Sequence, residues 1–292
     1  MASAQELLRP VDFLKSIGFG LDEKPHELDR KLLKSFPSED RHTLREIWAA
    51  RDFGSSLSLR DMYELPKTRK QAALLFSHDW PRVNASMKWF NDVVLKLAPK
   101  SIVEMGCGAG FLLKFIQGGH PDIRLQGVDA ARNLIAIASE LCGSSFMSGD
   151  YSEVQPDQKY DLIVCDFGFD LARFTESSTP HTTASVGDFQ YCPGCSNDLK
   201  QEFDHYTQAW RSWAHDSSYL AVAGRIGHFG MLRAFVLSAQ DVGWELVLDH
   251  SAMLKIKHHG TSERFPALLF RSVQSSSTKV DLLAAGRFFL EG

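Results

Sequence analysis

The sequence predicts an α/β protein: a mostly parallel sheet with helices on both faces, preceded by a small helical cap. Three observations carry this. From residue 101 onward, short apolar runs alternate with helical stretches, the pattern of strands joined through helices. The first run, Ile102–Met105, stops at Gly106-Cys-Gly-Ala-Gly110 and passes straight into helical sequence, Phe111 to Ile116. Before residue 80 there is no strand-like run, only apolar stripes at helical spacing broken by Gly and Pro.

In the first part, Leu7, Leu8, Val11, Leu14 and Ile17 form one stripe, interrupted by Gly18 and Gly20. Leu28, Leu32 and Leu33 form a second, ended by Pro37. Ser38 caps a third, carrying Leu44, Ile47 and Trp48. A fourth, Leu59 to Leu65, stops at Pro66. These helices cannot bury their apolar faces alone, so residues 1–78 are expected to form a cap packed on a main domain, 79–292. Trp80-Pro81-Arg82 reads as the joint, and Asn84 as the cap of a helix closed by Pro99.

The expected strands are Ile102–Met105, Leu125–Val128, Ser145–Ser148, Leu162–Cys165, Tyr219–Val222, Glu245–Asp249 and Ala267–Phe270. Helices are expected at 110–118, 131–141, about 199–216 and 228–242. Only the bend His258-His259-Gly260 separates the last two strands, which predicts a final antiparallel hairpin at the sheet edge. Ser275–Ser277 is the only low-complexity stretch.

The 292 residues suit one large domain with an appended part, and 44% hydrophobic with 23% charged residues is ordinary for a globular chain. A net charge of −4 leaves no global basic field for a nucleic-acid backbone. No apolar run approaches about 20 residues, so no membrane span is expected. With no signal-peptide pattern at the start, a cytoplasmic location is expected. Cys107, Cys142 and Cys165 lie in apolar or motif contexts and read as reduced thiols.

A strand that stops at glycines and turns into a helix makes a nucleotide pocket, because glycine admits close backbone approach and the helix start presents unpaired N–H groups. Four strand ends carry groups such a pocket would use: Glu104 before Gly106, Gly108 and Gly110; Asp129, 25 residues on, followed by Ala130; Asp150 with Tyr151; and Asp166. Asp129 can accept from both ribose hydroxyls. Asp150 can accept from an adenine amine while the Tyr151 N–H reaches a ring nitrogen. Glu104 and Asp166 place negative charge near the turn, which suits a cationic ligand and opposes a pyrophosphate. A dinucleotide fingerprint would also need glycine where Phe111 stands.

Glu-Met-Gly-Cys-Gly-Ala-Gly, Gly-Val-Asp, Gly-Asp-Tyr and Tyr-Asp-Leu-Ile-Val-Cys-Asp, in this order, resemble the class I S-adenosylmethionine-dependent methyltransferases over about residues 80–272. The resemblance implies a Rossmann-like seven-stranded sheet with a reversed last strand, and S-adenosyl-L-methionine as co-substrate. It places Glu104 and Gly106 by the methionine part, Asp129 at the ribose, Asp150 and Tyr151 at the adenine, and Asp166 near the reactive methyl. Asp150 is also readable as a plain turn residue, and Cys107 as a small side chain.

The acceptor must be sought elsewhere. The stretch from Phe167 to about Lys200 is too long for a strand–helix loop and carries Phe167, Phe169, Phe174, Phe189 and Tyr191, so it reads as a lid. Asp166-Phe-Gly-Phe169 lacks the prolines that follow this strand in many amine methyltransferases, which argues against nucleic-acid bases and glutamine amides. His228 and His181 are the base candidates, with Asp166 beside the methyl and Asp170 and Tyr191 behind them; His258 and His259 read as solvated. Cys192-Pro-Gly-Cys195 is half of a zinc knuckle, needing His181, Asp188 or His205 to complete it; a redox pair and a plain turn are the other readings, and no complete metal set is evident.

The expected activity is methyl transfer to a small, partly aromatic or apolar acceptor. A protein or RNA methyltransferase is the first rival, for which Lys67, Arg69 and Lys70 beside Arg82 form the only basic cluster; nucleic acid is not the expected partner. A non-catalytic cofactor-binding module is the second. No oligomeric state follows from the sequence.

Overall fold

A computed structural model describes residues 9–52, 59–144, 146–151, 153–169, 181–258, 261–274 and 280–292. Met1–Leu8, Ser145, Asp170, Phe174, His259, Gly260 and Ser275–Ser277, which figure in the sequence reading, lie outside the described residues.

The N-terminal part is helical: α1 (Pro10–Ile17), α2 (Pro25–Ser35), α3 (Ser38–Asp52), α4 (Leu59–Glu64) and α5 (Arg69–Phe76). Helix α1 ends at Gly18, whose φ of 102° lets its N–H turn back to Leu14 and Lys15 carbonyls. Helix α5 is additional to the four expected stripes; Thr68 caps it by accepting from the Gln71 N–H. The expected joint at Trp80 is itself helical: α6 (Trp80–Leu97) starts there with Pro81 in its first turn, where the missing N–H costs nothing.

The sheet follows. Strand β1 (Ser101–Met105) leads into α7 (Phe111–Gly119), β2 (Arg124–Asp129) into α8 (Arg132–Cys142), then β3 (Met147–Ser148) and β4 (Tyr160–Asp166). After β4 come a small hairpin, β5 (Ala184–Val186) and β6 (Phe189–Tyr191), and the long α9 (Pro193–Ser212). Strand β7 (Ala214–Ala223) and α10 (Phe229–Asp241) precede β8 (Trp244–Leu246), β9 (Ala252–His258), β10 (Thr261–Ser272) and α11 (Leu282–Glu291). The spatial order is β3-β2-β1-β4-β7-β10-β8, with β9 also on β10. Strands β3, β2, β1, β4 and β7 pair in parallel; β10 runs antiparallel to β7, β8 and β9.

This is the expected Rossmann-like α/β sheet with one reversed strand, with differences in detail. The expected sixth strand is interrupted by a short 3-10 turn, Leu248–His250, so β8 and β9 share one edge position. The hairpin exists, but its second strand lies inside the sheet, between β7 and that edge. The segment read as a lid contains the β5–β6 hairpin and the first two turns of α9, which begins at Pro193 rather than near 199.

Successive strand residues point to opposite faces and feed two cores. Ile102, Leu162, Val164, Ala221 and Leu269 pack with Met87, Phe90, Leu113 and Leu134 on one face; Val103, Ile163, Val222 and Phe270 pack with Phe203, Trp210, Leu232 and Phe235 on the other. Phe13 and Leu14 of α1 belong to the first of these cores. Leu32, Phe36, Leu44, Ile47, Met62 and Leu74 form a separate small core of α2–α5. No helix among the described residues is long and apolar enough to cross a membrane.

Candidate cofactor site and acceptor face

The glycine turn lies where β1 meets α7. Gly106, Gly108 and Gly110 have φ of 78°, 50° and 72°, a left-handed run that side chains resist. The turn is tied to β2: the Gly106 and Cys107 N–H groups donate to the Val128 carbonyl at 2.8 and 3.1 Å. Asp129, at the end of β2, then accepts from the Gly108 N–H through Oδ2 and the Ala131 N–H through Oδ1, both at 2.8 Å. Its carboxylate is thereby fixed in plane across the turn, with Ala130 half-buried beside it.

Glu104 is 3% exposed, and its Oε2 has no hydrogen-bond partner among the described residues. Burial raises its carboxyl well above the ordinary 4.5, and the nearby carboxylates of Asp166 and Asp129 push it the same way. The structure thus brings Glu104, Asp129 and Asp166 into one electrostatic cluster. Asp166 accepts from the Ser86 Oγ of α6 at 3.0 Å.

Beyond β3, Asp150 and Tyr151 turn their side chains to different surroundings. Asp150 is exposed and stands 3.6 Å from His205 on α9. Tyr151 sends its phenol inward: the hydroxyl donates to the Gly168 carbonyl at 3.2 Å, and a Cβ on Gly106 would meet it at 2.5 Å. Burial raises its pKa well above 10.0, so it acts as a neutral donor bridging the ends of β1 and β4. Cys107 is buried with its thiol also raised by burial, a small neutral side chain in the turn.

Sequence reasoning missed several contributors because their contacts span long separations. Ser86 lies 80 positions from Asp166. Glu64, from α4, accepts from the Arg132 and Asn133 N–H groups and so caps α8 just beyond Asp129. Phe76, from α5, comes within 3.6 Å of where a Gly108 Cβ would be, so the helical part roofs the turn. Phe167 follows Asp166 with φ of 57°, an uncommon conformation for a bulky residue, and its buried ring lies against Phe265. The Arg82 guanidinium sits 4.1 Å from the centre of that ring, and that of Arg225 5.9 Å from it.

The catalytic candidates separate. His228 caps α10, its Nδ1 accepting from the Met231 N–H at 3.2 Å, so the ring hydrogen resides on Nε2. Burial lowers its pKa and keeps it neutral. His181 is exposed, with Nδ1 3.2 Å from Cys195 Sγ. The Cys192 thiol is drawn down to about 6, first by the Cys195 N–H, then by the Thr182 N–H and His181; Cys195 moves up beside it. All five cysteines are free thiols, with Cys107, Cys142 and Cys165 buried.

Residues 102–186 match the family described as Methyltransferase domain. Residues 102–186 thus carry a methyltransferase domain. Two curated proteins named malonyl-[acyl-carrier protein] O-methyltransferase are similar to part of it. The one from Anoxybacillus flavithermus is 32% identical over 74 residues, 24% of this chain and 29% of that protein. The one from Acetivibrio thermocellus is 34% identical over 71 residues, 23% and 25% respectively. The chain thus spans less than a third of the length of the curated relatives it matches. Among solved structures, a TehB-like SAM-dependent methyltransferase from Corynebacterium glutamicum covers 81% of this chain and 99% of its own, at 15% identity and a TM-score of 0.41. N-methyltransferase NodS from Bradyrhizobium japonicum, in complex with S-adenosyl-l-homocysteine, covers 64% and 86% at 14% identity and a TM-score of 0.41.

The residues of the methyltransferase domain fit its co-substrate. A buried carboxylate oxygen without a partner, at Glu104, suits a ligand with cationic groups. The space above Gly106 is closed to a side chain, since a Cβ there would meet the Gly168 Cα at 2.7 Å.

Proposed function

We propose that the protein transfers the methyl group of S-adenosylmethionine to a small, partly aromatic or apolar acceptor held at the carboxyl ends of β4 and β7. The observation that carries the reading is the set of carboxylates around the glycine turn, with Phe167 turned into the left-handed region next to Asp166. When bound, S-adenosylmethionine supplies an electrophilic methyl on a positively charged sulfur. Glu104 and Asp166 provide opposite charge in a water-poor site, and Asp129 is positioned for the ribose hydroxyls. The Phe167 ring offers an apolar wall against which an acceptor can be aligned, and alignment is most of what such a displacement needs. Asp166, oriented by Ser86, is the carboxylate placed to take the proton that an acceptor hydroxyl or amine gives up. His228 serves as a helix cap in this arrangement, and His181 belongs to the cysteine cluster.

A second reading makes the acceptor atom a carboxylate oxygen; the curated relatives are named as O-methyltransferases of malonyl-[acyl-carrier protein]. Arg82 favours it. Its Nε is buried with no partner among the described residues, while its Nη2 reaches only the exposed Asp79, at 3.4 Å. A guanidinium with an unspent donor beside the methyl-transfer region would orient an anionic acceptor.

Calorimetric titration with S-adenosylmethionine and S-adenosylhomocysteine, followed by mass-spectrometric methylation assays, tests both readings. Binding of both ligands, and a gain of one methyl on small aromatic acceptors, is the result expected; carboxylic acids and malonyl thioesters as the methylated class select the second reading. Failure to bind either ligand overturns the proposal. Methylation confined to RNA or protein side chains overturns the small-acceptor part alone.

A further inference from the structure

Cys192-Pro-Gly-Cys195 takes no part in the reading above, and the fold places a third soft ligand beside it. Strands β5 and β6 pair Ala184 with Tyr191, Ser185 with Gln190 and Val186 with Phe189. The connection is the two-residue turn Gly187-Asp188, with Gly187 at φ of 57°, so the register is held by turn geometry. Just outside the ladder, the Thr182 N–H lies against the Cys192 thiol, one residue on from His181. Proline then starts α9 at once, with the Ser196 N–H donating to the Cys192 carbonyl at 2.9 Å, which folds Cys192 and Cys195 into one helical turn.

The outcome is a cluster of His181, Cys192 and Cys195 whose ligand atoms all lie within 4.8 Å of one another, with 3.2 Å between His181 Nδ1 and Cys195 Sγ. Ligand atoms around tetrahedral zinc stand about 3.5–3.8 Å apart, given Zn–S near 2.3 Å and Zn–N near 2.0 Å. Shifts of under about 1 Å would therefore seat an ion. Two thiolates and an imidazole select zinc over the hard cations. A plain turn requires none of these three side chains, and a dithiol redox pair requires no imidazole.

We propose that His181, Cys192 and Cys195 bind a zinc ion whose fourth ligand is water. Asp188 sits in the hairpin turn, at the end away from the cysteines. His205 lies ten residues beyond Cys195, about 15 Å along α9, and faces Asp150. Neither completes the set, and the exposure of His181 leaves the fourth side to solvent. The ion would fasten the segment entering β5 to the start of α9. That junction rests on α10: Ser196 Oγ donates to the Gly230 carbonyl at 3.0 Å, and Tyr191 Cβ lies 3.4 Å from where a Gly230 Cβ would be. The zinc would thus hold the hairpin against the end of the sheet where β7 finishes.

Titration of the chelator-treated whole chain with zinc, against a chromogenic competitor, tests this. One equivalent per chain is expected, and cobalt in its place should show thiolate-to-metal charge transfer. Cys195→Ser and His181→Ala should each weaken zinc by about a hundredfold, the upper end of what losing even an outer partner costs. Zinc far below one equivalent, or unchanged affinity in either variant, overturns the proposal. Should a variant not fold, alkylation of the native chain decides: zinc should protect Cys192 and Cys195, and equal labelling with and without zinc overturns it.

Discussion

Glu104 is the last residue but one of β1, its carboxyl buried near Asp166 and Asp129, and the free and ligand-bound proteins place opposite demands on it. In the free protein its pKa is raised well above 4.5, so between that value and the folded pKa the folded state holds a proton the unfolded chain has released. Stability from this group is complete below the unfolded value and is lost as pH rises through the folded one. A cationic ligand reverses the preference by favouring the charged carboxylate. Glu104→Gln should therefore flatten the decline of the ligand-free protein's melting temperature with rising pH and raise that temperature at the alkaline end of the series. The same variant should bind S-adenosylhomocysteine at least about tenfold more weakly, a loss of about 1.4 kcal/mol. Thermal unfolding over a pH series and calorimetry check the two halves. A variant that melts lower than the parent at high pH would count against the burial argument; unchanged affinity would remove Glu104 from the ligand's surroundings.

At the scale of elements, α8 shows how the helical part reaches the cofactor site. The residue at its N-cap position, Ala131, has no side chain able to accept, so the first-turn N–H groups would be orphans. Glu64 supplies both missing acceptors from 68 and 69 positions away, and its own carbonyl accepts from Asn133 Nδ2. Its charge also suits the positive end of the helix dipole. Glu64→Ala should cost about 1–2 kcal/mol in urea unfolding and weaken S-adenosylhomocysteine severalfold, because Ala131 and Asp129 share that turn. Glu64→Gln, which retains one acceptor oxygen, should fall between; a Glu64→Ala protein indistinguishable from the parent would refute the capping role. The same element explains what could be read in advance. The strands and the turn were legible because each signal is local: an apolar run, glycines at φ above zero, a carboxylate at each strand end. Helix α8 was legible as a helix, but its cap was not, since nothing near Ala131 marks an acceptor in another helix. Helix α5 was hidden by its small residues, Ala72 and Ala73, which blur an apolar stripe, and the β5–β6 strands were too short for alternation to register.

Over the whole molecule, the division between a helical part and the sheet is less sharp than the change in sequence pattern at residue 80 indicates. Helices α2–α5 share a small core of their own, yet α1 enters the main core, where Phe13 meets Phe115 at 5.5 Å between ring centres. Tyr63 stacks on Phe76, which in turn meets Phe111 at the head of α7. Glu64 adds the polar link to α8. Six buried residues among those described are a small core for four helices, and small units bury proportionally little of their surface. The whole chain is accordingly expected to unfold in one calorimetric transition. Phe13→Ala should lower it by about 3–5 kcal/mol, the cost of a large cavity in a packed core, without splitting it. Two transitions in the parent, or an early loss of helical signal before the near-ultraviolet signal of the sheet's aromatic core in the variant, would show that the helical part holds itself together. A single shifted transition would mean that the roof over the glycine turn is kept in place by the same packing that holds the sheet.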